Sequence, residues 1–266
     1  KELAGTLENI SAERIHVELE KLIMSNHPDK LITAYEAGIT KVVLPEFDAM
    51  MECPQVSPYH MYNVGEHTIK VMENVPPTKE MRWAALLHDV GKPDSVTYDK
   101  KEPTRMHFYG HAHVGAKMVS TILRRLKMDS KTIKLVTRLV EHHDDRPVAD
   151  KKEPVQIRKS VNIIGKDIYD MYLQLAYADI QGKSQYGREK GMGAYIYSKE
   201  QYEYIVENNI CTCKGDMAVS GRDLIAAGCP TGEIIGNILD ELLKRVIQKP
   251  QLNNKESLME IAKTMF

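Results

Sequence analysis

The chain has 266 residues, 42% hydrophobic and 27% charged, enough for a sizeable core built as one large domain or as two to three small modules. A formal net charge of -1 excludes a global electrostatic reason to bind nucleic acid, so any such surface must be local. Four cysteines (Cys53, Cys211, Cys213, Cys229) exclude a disulfide framework and fit a reducing, cytoplasmic setting; no apolar run reaches the ~18 residues of a membrane span, and no signal peptide opens the chain.

With three Phe, one Trp and 14 Met, the core is expected to be Leu, Ile, Val and Met, which suits packed helices. Ser11 is positioned to cap a first helix whose Ile15, Leu19, Leu22 and Ile23 share one face. Asn26 to Pro28 ends it, and Gly38 closes the short helix that follows. "KVVLPEFDAM" comes next, broken by Pro45. A helix is predicted over 63–74, stopped by Pro76-Pro77, and another over 78–90, ended by Gly91 and Pro93. Residues 94–109 read as irregular. Amphipathic helices follow over 111–127 and 130–143, then the polar loop "DDRPVADKKEP", then helices over 155–164 and 166–181. The glycine-dotted "GKSQYGREKGMGAY" reads as a boundary before a smaller helical tail. Strand alternation is scarce, so the expected fold class is all-α.

Several of these helices carry polar residues on their apolar faces, where side chains three or four apart meet. His67 lies between Val64 and Val71, and His88 follows Met81, Ala84 and Ala85. His111 precedes Gly115, Met118 and Ile122. His142 follows Leu135 and Leu139, His143 follows Val136 and Val140, and Asp179 continues the face of Ile168, Met171, Tyr172 and Leu175. A single inward histidine is most often a satisfied core residue. Inward His and Asp from five helical segments are different, because each buried carboxylate would need separate compensation and a shared dication satisfies them together. Imidazole with carboxylate suits divalent metals such as Mn, Fe, Co, Ni or Zn.

The order His67, His88-Asp89, then Asp179 resembles the signature of the HD superfamily of metal-dependent phosphohydrolases, with "HDVGKP" in its His-Asp-x-Gly-Lys form and "GHAHVGA" and "LVEHHD" like the extra histidine segments of two-metal members. The resemblance implies one or two divalent ions (Mn, Fe, Co, Ni, Mg or Zn). His67, His88, Asp89 and Asp179 would hold the first ion, with Asp89 able to bridge; His111 and His142 would hold a second, with His143 an alternative to His142. Asp89 and Lys92 would be the catalytic residues, Lys92 meeting the substrate phosphate. The reaction implied is metal-activated hydrolysis of a phosphomonoester, a 2′,3′-cyclic phosphate or a nucleotide.

Two further blocks widen the likeness. "NISAERIHVELEKLIMSNHPDKLITAYEAGI" with "LPEF" resembles the tRNA-binding neck of bacterial CCA-adding tRNA nucleotidyltransferases and related poly(A) polymerases, and "MAVSGRDLIAAGCPTGEIIGNILDELLKRVI" resembles their tail module. The expected organisation is a neck over 1–54, an HD domain over 55–184 and a tail over 185–266. The polymerising head of that family carries an Asp-x-Asp pair, which these 266 residues lack. The chain, starting at Lys1, is therefore expected to be the body and tail of a longer enzyme, without nucleotide addition of its own.

From Lys117 to Arg138 there are seven basic residues and one acid, Asp129. Such a run is usually a solvated face; alternatively Arg124, Arg125, Lys131 and Lys134 contact tRNA phosphates, which makes binding salt-sensitive. Cys211-x-Cys213 is too short for a familiar zinc site and reads as structural, and "YIYSKEQYEY" reads as a packing helix before it reads as a base-stacking one. The rival to a hydrolase acting on RNA ends or nucleotides is a silent tRNA-binding scaffold with a structural metal. A free-standing nucleotide hydrolase is a third reading, which the neck and tail blocks oppose.

Overall fold

The computed structural model describes residues 4–100, 102, 104–145 and 153–266. Among the described residues the protein is all-α apart from one two-stranded ribbon. The order is α1 (Ala12–Met24), α2 (Lys30–Glu36), α3 (Thr40–Val43), α4 (Pro45–Met51), α5 (Val64–Asn74), α6 (Lys79–Leu87), β1 (Thr97–Tyr98), β2 (Met106–His107), α7 (His111–Arg125) and α8 (Ser130–His142). Then come α9 (Pro154–Ile164), α10 (Tyr169–Gln181), α11 (Gln185–Glu207), α12 (Gly221–Ala226), α13 (Glu233–Gln248) and α14 (Lys255–Ala262). No helix among the described residues is long and apolar enough to cross a membrane.

The chain forms two compact units. One comprises Lys1–Asp145 and Asp170–Tyr195, the other Arg146–Tyr169 and Ile196–Phe266. In the first, α5 starts at a reciprocal cap: Asn63 Oδ1 accepts from Glu66 N–H at 2.7 Å, and Glu66 Oε2 accepts from Asn63 N–H at 3.3 Å. Thr78 Oγ1 accepts from Met81 N–H at 3.4 Å to open α6, and Asp129 caps α8 through Thr132 N–H at 2.9 Å. Trp83 is fully buried on α6 and donates its indole N–H to Glu20 Oε2 on α1 at 3.2 Å. Ile23, Leu31, Leu44, Phe47, Leu86, Val136, Leu139 and Val140 are fully buried in the same unit, each contributing on the order of 1.5–3 kcal/mol.

The second unit has a plainly apolar core. Leu224, Ile238, Leu242, Val246, Leu258 and Ala262 fill it, and Arg158 donates to the carbonyl oxygens of Ile247 and Gln248 at 2.6 and 3.2 Å, covering two orphan acceptors at the end of α13. Cys211 is buried, donates its thiol to Cys213 O at 3.5 Å and is pushed up to about 11, chiefly by burial. The two thiols are not part of a candidate metal group among the described residues.

Two local expectations need correction and a third needs refining. Ser11 holds the cap position of α1, but its side chain makes no capping bond. Residues 94–109 are not wholly irregular, since Thr97 pairs with His107 and Tyr98 with Met106. The glycine-dotted stretch is helical from Gln185 on, as the first half of the 23-residue α11, and the division between the two units falls at its end, between Tyr195 and Ile196. Its glycines serve close packing: a side chain at Gly187 would strike Tyr59 O, and one at Gly191 would press on Ile180. Residues 146–152 of the polar loop lie outside the described residues.

Candidate functional site

Five helices deliver polar groups to one buried point of the first unit. His67 sits mid-helix in α5; His88 follows the last residue of α6; His111 is the first residue of α7; His143 follows α8; Asp179 lies near the end of α10. Asp89 stands at the centre. The turn after it packs against the start of α7 so closely that any side chain at Gly91 would enter the backbone of His111 and Gly115. This is why a glycine follows the His-Asp pair.

The two oxygens of Asp89 face two different groups. Oδ2 is 3.1 Å from His88 Nε2, 3.7 Å from His67 Nε2 and 2.6 Å from Lys92 Nζ. Oδ1 is 3.2 Å from His111 Nε2 and 3.4 Å from His143 Nε2. Asp179 Oδ1 extends the first group, 3.0 Å from His67 Nε2, and its other oxygen pairs with Lys183. His67, His88 and Asp89 therefore form one triad of potential ligand atoms, and Asp89, His111 and His143 form another.

The hydrogen-bond inventory of these rings is short by design. A carbonyl oxygen only accepts, so a ring nitrogen bonded to one carries the hydrogen. His88 Nδ1 donates to Ala85 O at 2.8 Å, His111 Nδ1 to Phe108 O at 2.8 Å and His143 Nδ1 to Val140 O at 2.6 Å. Each bond returns to the carbonyl three residues earlier, a reach that helix ends make easy. His67 Nδ1 faces Gly182 O at 3.2 Å.

A neutral imidazole has one N–H. With those committed, the Nε2 lone pairs converge on a carboxylate and on each other, His111 Nε2 and His143 Nε2 standing 3.1 Å apart. His88 Nε2 and Asp89 Oδ2 are buried and lie close without the alignment of a hydrogen bond. Acceptors facing acceptors in a dry site repel, at a cost of several kcal/mol, unless a cation sits among them. The donor set therefore fits one or two divalent ions, and the ring N–H bonds to carbonyls are the kind of outer support that orients metal-binding imidazoles.

Burial alone would raise the Asp89 carboxyl, but His88, Lys92 and the imidazoles of His111 and His143 outweigh it and hold the group well below the usual carboxylate range. Burial likewise opposes Asp179, and Lys183 with His67 and His88 overcomes it, keeping that carboxyl low too. His67 is lowered, chiefly by its complete burial, against the pull of Asp179.

His67, His88, Asp89, Asp179 and His111 thus stand together, and Lys92 joins them. The expected second-group residue His142 does not. It turns outward and pairs with Asp145 at 2.9 Å, which raises its pKa, while the neighbouring His143 points inward. One step along a helix rotates a side chain by about 100°, and α8 ends between the two. Of the basic residues, Arg124, Lys131 and Lys134 are exposed, but Arg125 is committed to a two-pronged pair with Glu46 at 2.7 and 2.6 Å.

Two residues were not singled out in the sequence. Gln55 Oε1 accepts from Lys92 Nζ at 2.7 Å, and its own amide donates to Tyr62 O at 3.3 Å. His60 stands edge-on to His67 with ring centres 5.4 Å apart; burial, then Lys92 and His67, push it down to about 3. Both lie in the loop before α5, which has no periodicity to flag them. Phe108 adds a third support, its ring centre 5.5 Å from Lys92 Nζ.

Comparison with known proteins gives two family matches. A model described as tRNA nucleotidyltransferase domain 2 matches residues 106–262, and one described as the probable RNA- and SrmB-binding site of polymerase A matches residues 1–51. A multifunctional CCA protein of Nitrosococcus oceani is 26% identical over 92% of this chain and 58% of its own length. An A-adding tRNA nucleotidyltransferase of Deinococcus radiodurans is 30% identical over 90% of this chain and 55% of its own length. A multifunctional CCA protein of Aliivibrio salmonicida is 30% identical over 53% of this chain and 34% of its own length. The chain spans little more than half the length of the first two relatives.

Proposed function

The chain belongs to the tRNA nucleotidyltransferase domain 2 family, and on that premise we propose that its His–Asp cluster is a metal-dependent phosphohydrolase site acting on phosphate esters of nucleotides or RNA ends. One observation carries the reading: the Nδ1 atoms of His88, His111 and His143 each face a backbone carbonyl, which leaves their Nε2 atoms to converge on Asp89.

His67, His88, Asp89 and Asp179 would hold one divalent ion, and Asp89, His111 and His143 a second. A bound ion supplies Lewis-acid activation of water and of the phosphoryl group. The chain supplies the rest. Lys92, buried and held between Gln55 and Asp89, offers its ammonium to the non-bridging phosphate oxygens and neutralises the charge that grows there. The Asp89 carboxylate stays ionised while flanked by Lys92 and the imidazoles, so it remains an acceptor throughout. Overall, water adds to phosphorus, the P–O bond to the leaving alcohol breaks, and the water proton ends on the alcohol oxygen. With a 2′,3′-cyclic ester one ring P–O bond opens and a monoester remains.

Residues 1–51 support a second role alongside. Their match to an RNA-binding model, with exposed Arg124, Lys131 and Lys134, favours a body that also grips tRNA by its phosphates. The deciding experiment is a phosphate-release screen with Mn, Co, Ni and Mg supplied separately and metal content measured in the same samples. Metal-dependent release that Asp89→Ala abolishes supports the hydrolase. Metal in place and no release above the Asp89→Ala control on any ester leaves only the RNA-binding scaffold.

A further inference from the structure

The turn between α10 and α11 is pinned against the cluster. Gly182 O faces His67 Nδ1 at 3.2 Å, and a side chain at Gly182 would press on the same ring. Ser184 N–H donates to Tyr59 O at 2.9 Å and Ser184 Oγ to Pro58 O at 2.6 Å, which ties the turn to the loop before α5. Lys183 stands between these two anchors. Its ammonium pairs with Asp179 Oδ2 and with no other carboxylate among the described residues. Arg188 donates to Lys183 O at 2.8 Å and makes no ion pair of its own among the described residues, so this corner carries two cations.

The corner is also where the cluster meets solvent. The side chains of Asp179 and Lys183 are each 18% exposed, against 2% or less for His67, His88 and Asp89 and at most 8% for Lys92, His111 and His143. Of the two lysines, Lys183 is therefore the one that an anion arriving from water meets first.

Each carboxylate of the cluster has one lysine. Lys92 Nζ is 2.6 Å from Asp89 Oδ2, and Lys183 pairs with the Asp179 oxygen that does not face His67. With a divalent ion among these ligands, its two charges match those of Asp89 and Asp179, and both ammonium groups are left without a partner. Poorly hydrated charges without partners are costly. A phosphomonoester, with a charge of about −1.5 to −2 at neutral pH, restores the match. A 2′,3′-cyclic phosphate or other diester carries a single negative charge and leaves one lysine unmatched.

We propose that Lys183 is a second phosphate-binding residue of the cluster, exchanging Asp179 for substrate once a metal holds that carboxylate, and that Lys92 and Lys183 together make the site select phosphomonoester dianions over cyclic phosphates and diesters. The proposal rests on the metal-dependent hydrolase reading and narrows its ester classes. Lys183 is built for such an exchange: its backbone is fixed by the turn, while the flexible four-carbon stem lets the ammonium swing.

The test is calorimetric titration of the manganese-loaded chain with two probes that are not turned over, at a pH above the second ionisation of the first. These are methylphosphonate, a dianion, and dimethyl phosphate, a monoanion; metal content is measured in the same samples. Methylphosphonate is expected to bind about tenfold or more tighter than dimethyl phosphate, and Lys183→Gln to remove most of that preference with metal content unchanged. Lys183→Arg should keep the charge and most of the preference. Melting curves check that the variants fold. Equal affinity for the two probes in the native chain overturns the proposal, as does a Lys183→Gln chain that binds methylphosphonate like the native one. A chain that takes up no manganese also overturns it. Loss of metal from Lys183→Gln does so too, since Lys183 would then be only a prop for Asp179.

Turnover is read separately, with adenosine 3′-monophosphate as the ester. In an active chain Lys183→Gln should raise KM about tenfold, whereas Lys92→Ala acts mainly on kcat. Selectivity that depends on Lys183, with no ester hydrolysed, removes the hydrolase and keeps a metal site that binds phosphate dianions. Hydrolysis with KM unchanged by Lys183→Gln keeps the hydrolase and removes Lys183 from the site.

Discussion

The two compact units are made of the same material, amphipathic helices of ordinary length, and differ in what they bury. The second unit hides Leu224, Leu242, Val246, Leu258 and Ala262, and its fully covered polar side chains are neutral hydroxyls such as Thr212. The first hides His67, His88, Asp89, Lys92, His111 and His143, all below a tenth exposed. Apolar burial explains itself by the hydrophobic effect. A buried set of six ionisable groups does not, because replacing them with Leu or Met would stabilise the fold more simply. The difference is what favours placing the proposed site in the first unit.

The largest expected contrast comes from cutting each unit at its centre. Asp89→Ala removes the one carboxylate that both halves of the cluster share, so metal content measured by mass spectrometry should fall to background and any hydrolysis should vanish. It also leaves Lys92 buried beside four imidazoles, at a cost of about 3–5 kcal/mol in denaturant unfolding of the metal-free chain. Leu242→Ala in the second unit should cost a comparable ~2–5 kcal/mol through its cavity, yet leave metal content unchanged. If Leu242→Ala strips the metal as Asp89→Ala does, the division of labour between the units is wrong.

Next in size is Lys92→Ala. It should retain metal while lowering turnover by about 100-fold, the loss typical of one preorganised charge-stabilising group. Loss of metal in this variant would show that Lys92 acts on Asp89 and not on substrate. A finer cut compares two adjacent histidines. His143→Ala should weaken metal binding by roughly 10–100-fold, whereas His142→Ala should leave it unchanged, read by titration against a chromogenic chelator. The opposite ranking would restore the site expected in the sequence.

That pair also shows where the sequence stops being legible. The stripes ending at His142 (Leu135, Leu139) and at His143 (Val136, Val140) both pack inward, since Val136, Leu139 and Val140 are fully buried. When the apolar face is that wide, periodicity cannot choose between neighbours. Helices with chemical punctuation were readable, as at the Pro76-Pro77 pair after α5; the Asn63 cap before it was not, since the expected helix over 63–74 takes residue 63 inside it. His67, His88 and Asp179 stood out because each continues an apolar helical stripe, while Asp89 was marked only by the resemblance of the His67, His88-Asp89, Asp179 order to a known family. Gln55 and His60 were not, since they sit in a loop whose course depends on Ser184 and Gly187 far along the chain. Nor was α11, because Gly187 and Gly191 read as breakers until their neighbours are seen.

The smallest effect tests what the two units have in common. Asp129 caps α8 in the first unit and pairs with Lys79 at 3.1 Å; Asp223 sits in the Ser220 capping box of α12 in the second and pairs with Lys255. Hydrogen bonds to the ionised carboxylate lower both pKa values, led by the Thr132 backbone N–H for Asp129 and by Lys255 for Asp223. A group whose folded pKa lies below its unfolded value of 3.8 stabilises the fold above that value and loses the contribution as pH falls toward the folded pKa. Asp129→Ala should therefore cost about 1 kcal/mol at neutral pH, most of it from the lost cap because solvent screens the exposed pair with Lys79. The gap between variant and native chain, read from urea midpoints, should narrow once pH drops below 3.8, and Asp223→Ala should follow the same curve. These caps lie on the surface, away from what each unit buries, so the two variants should behave alike. A gap that widens in acid for either one would mean that its carboxylate is repelled in the folded chain, contrary to the donors placed around it.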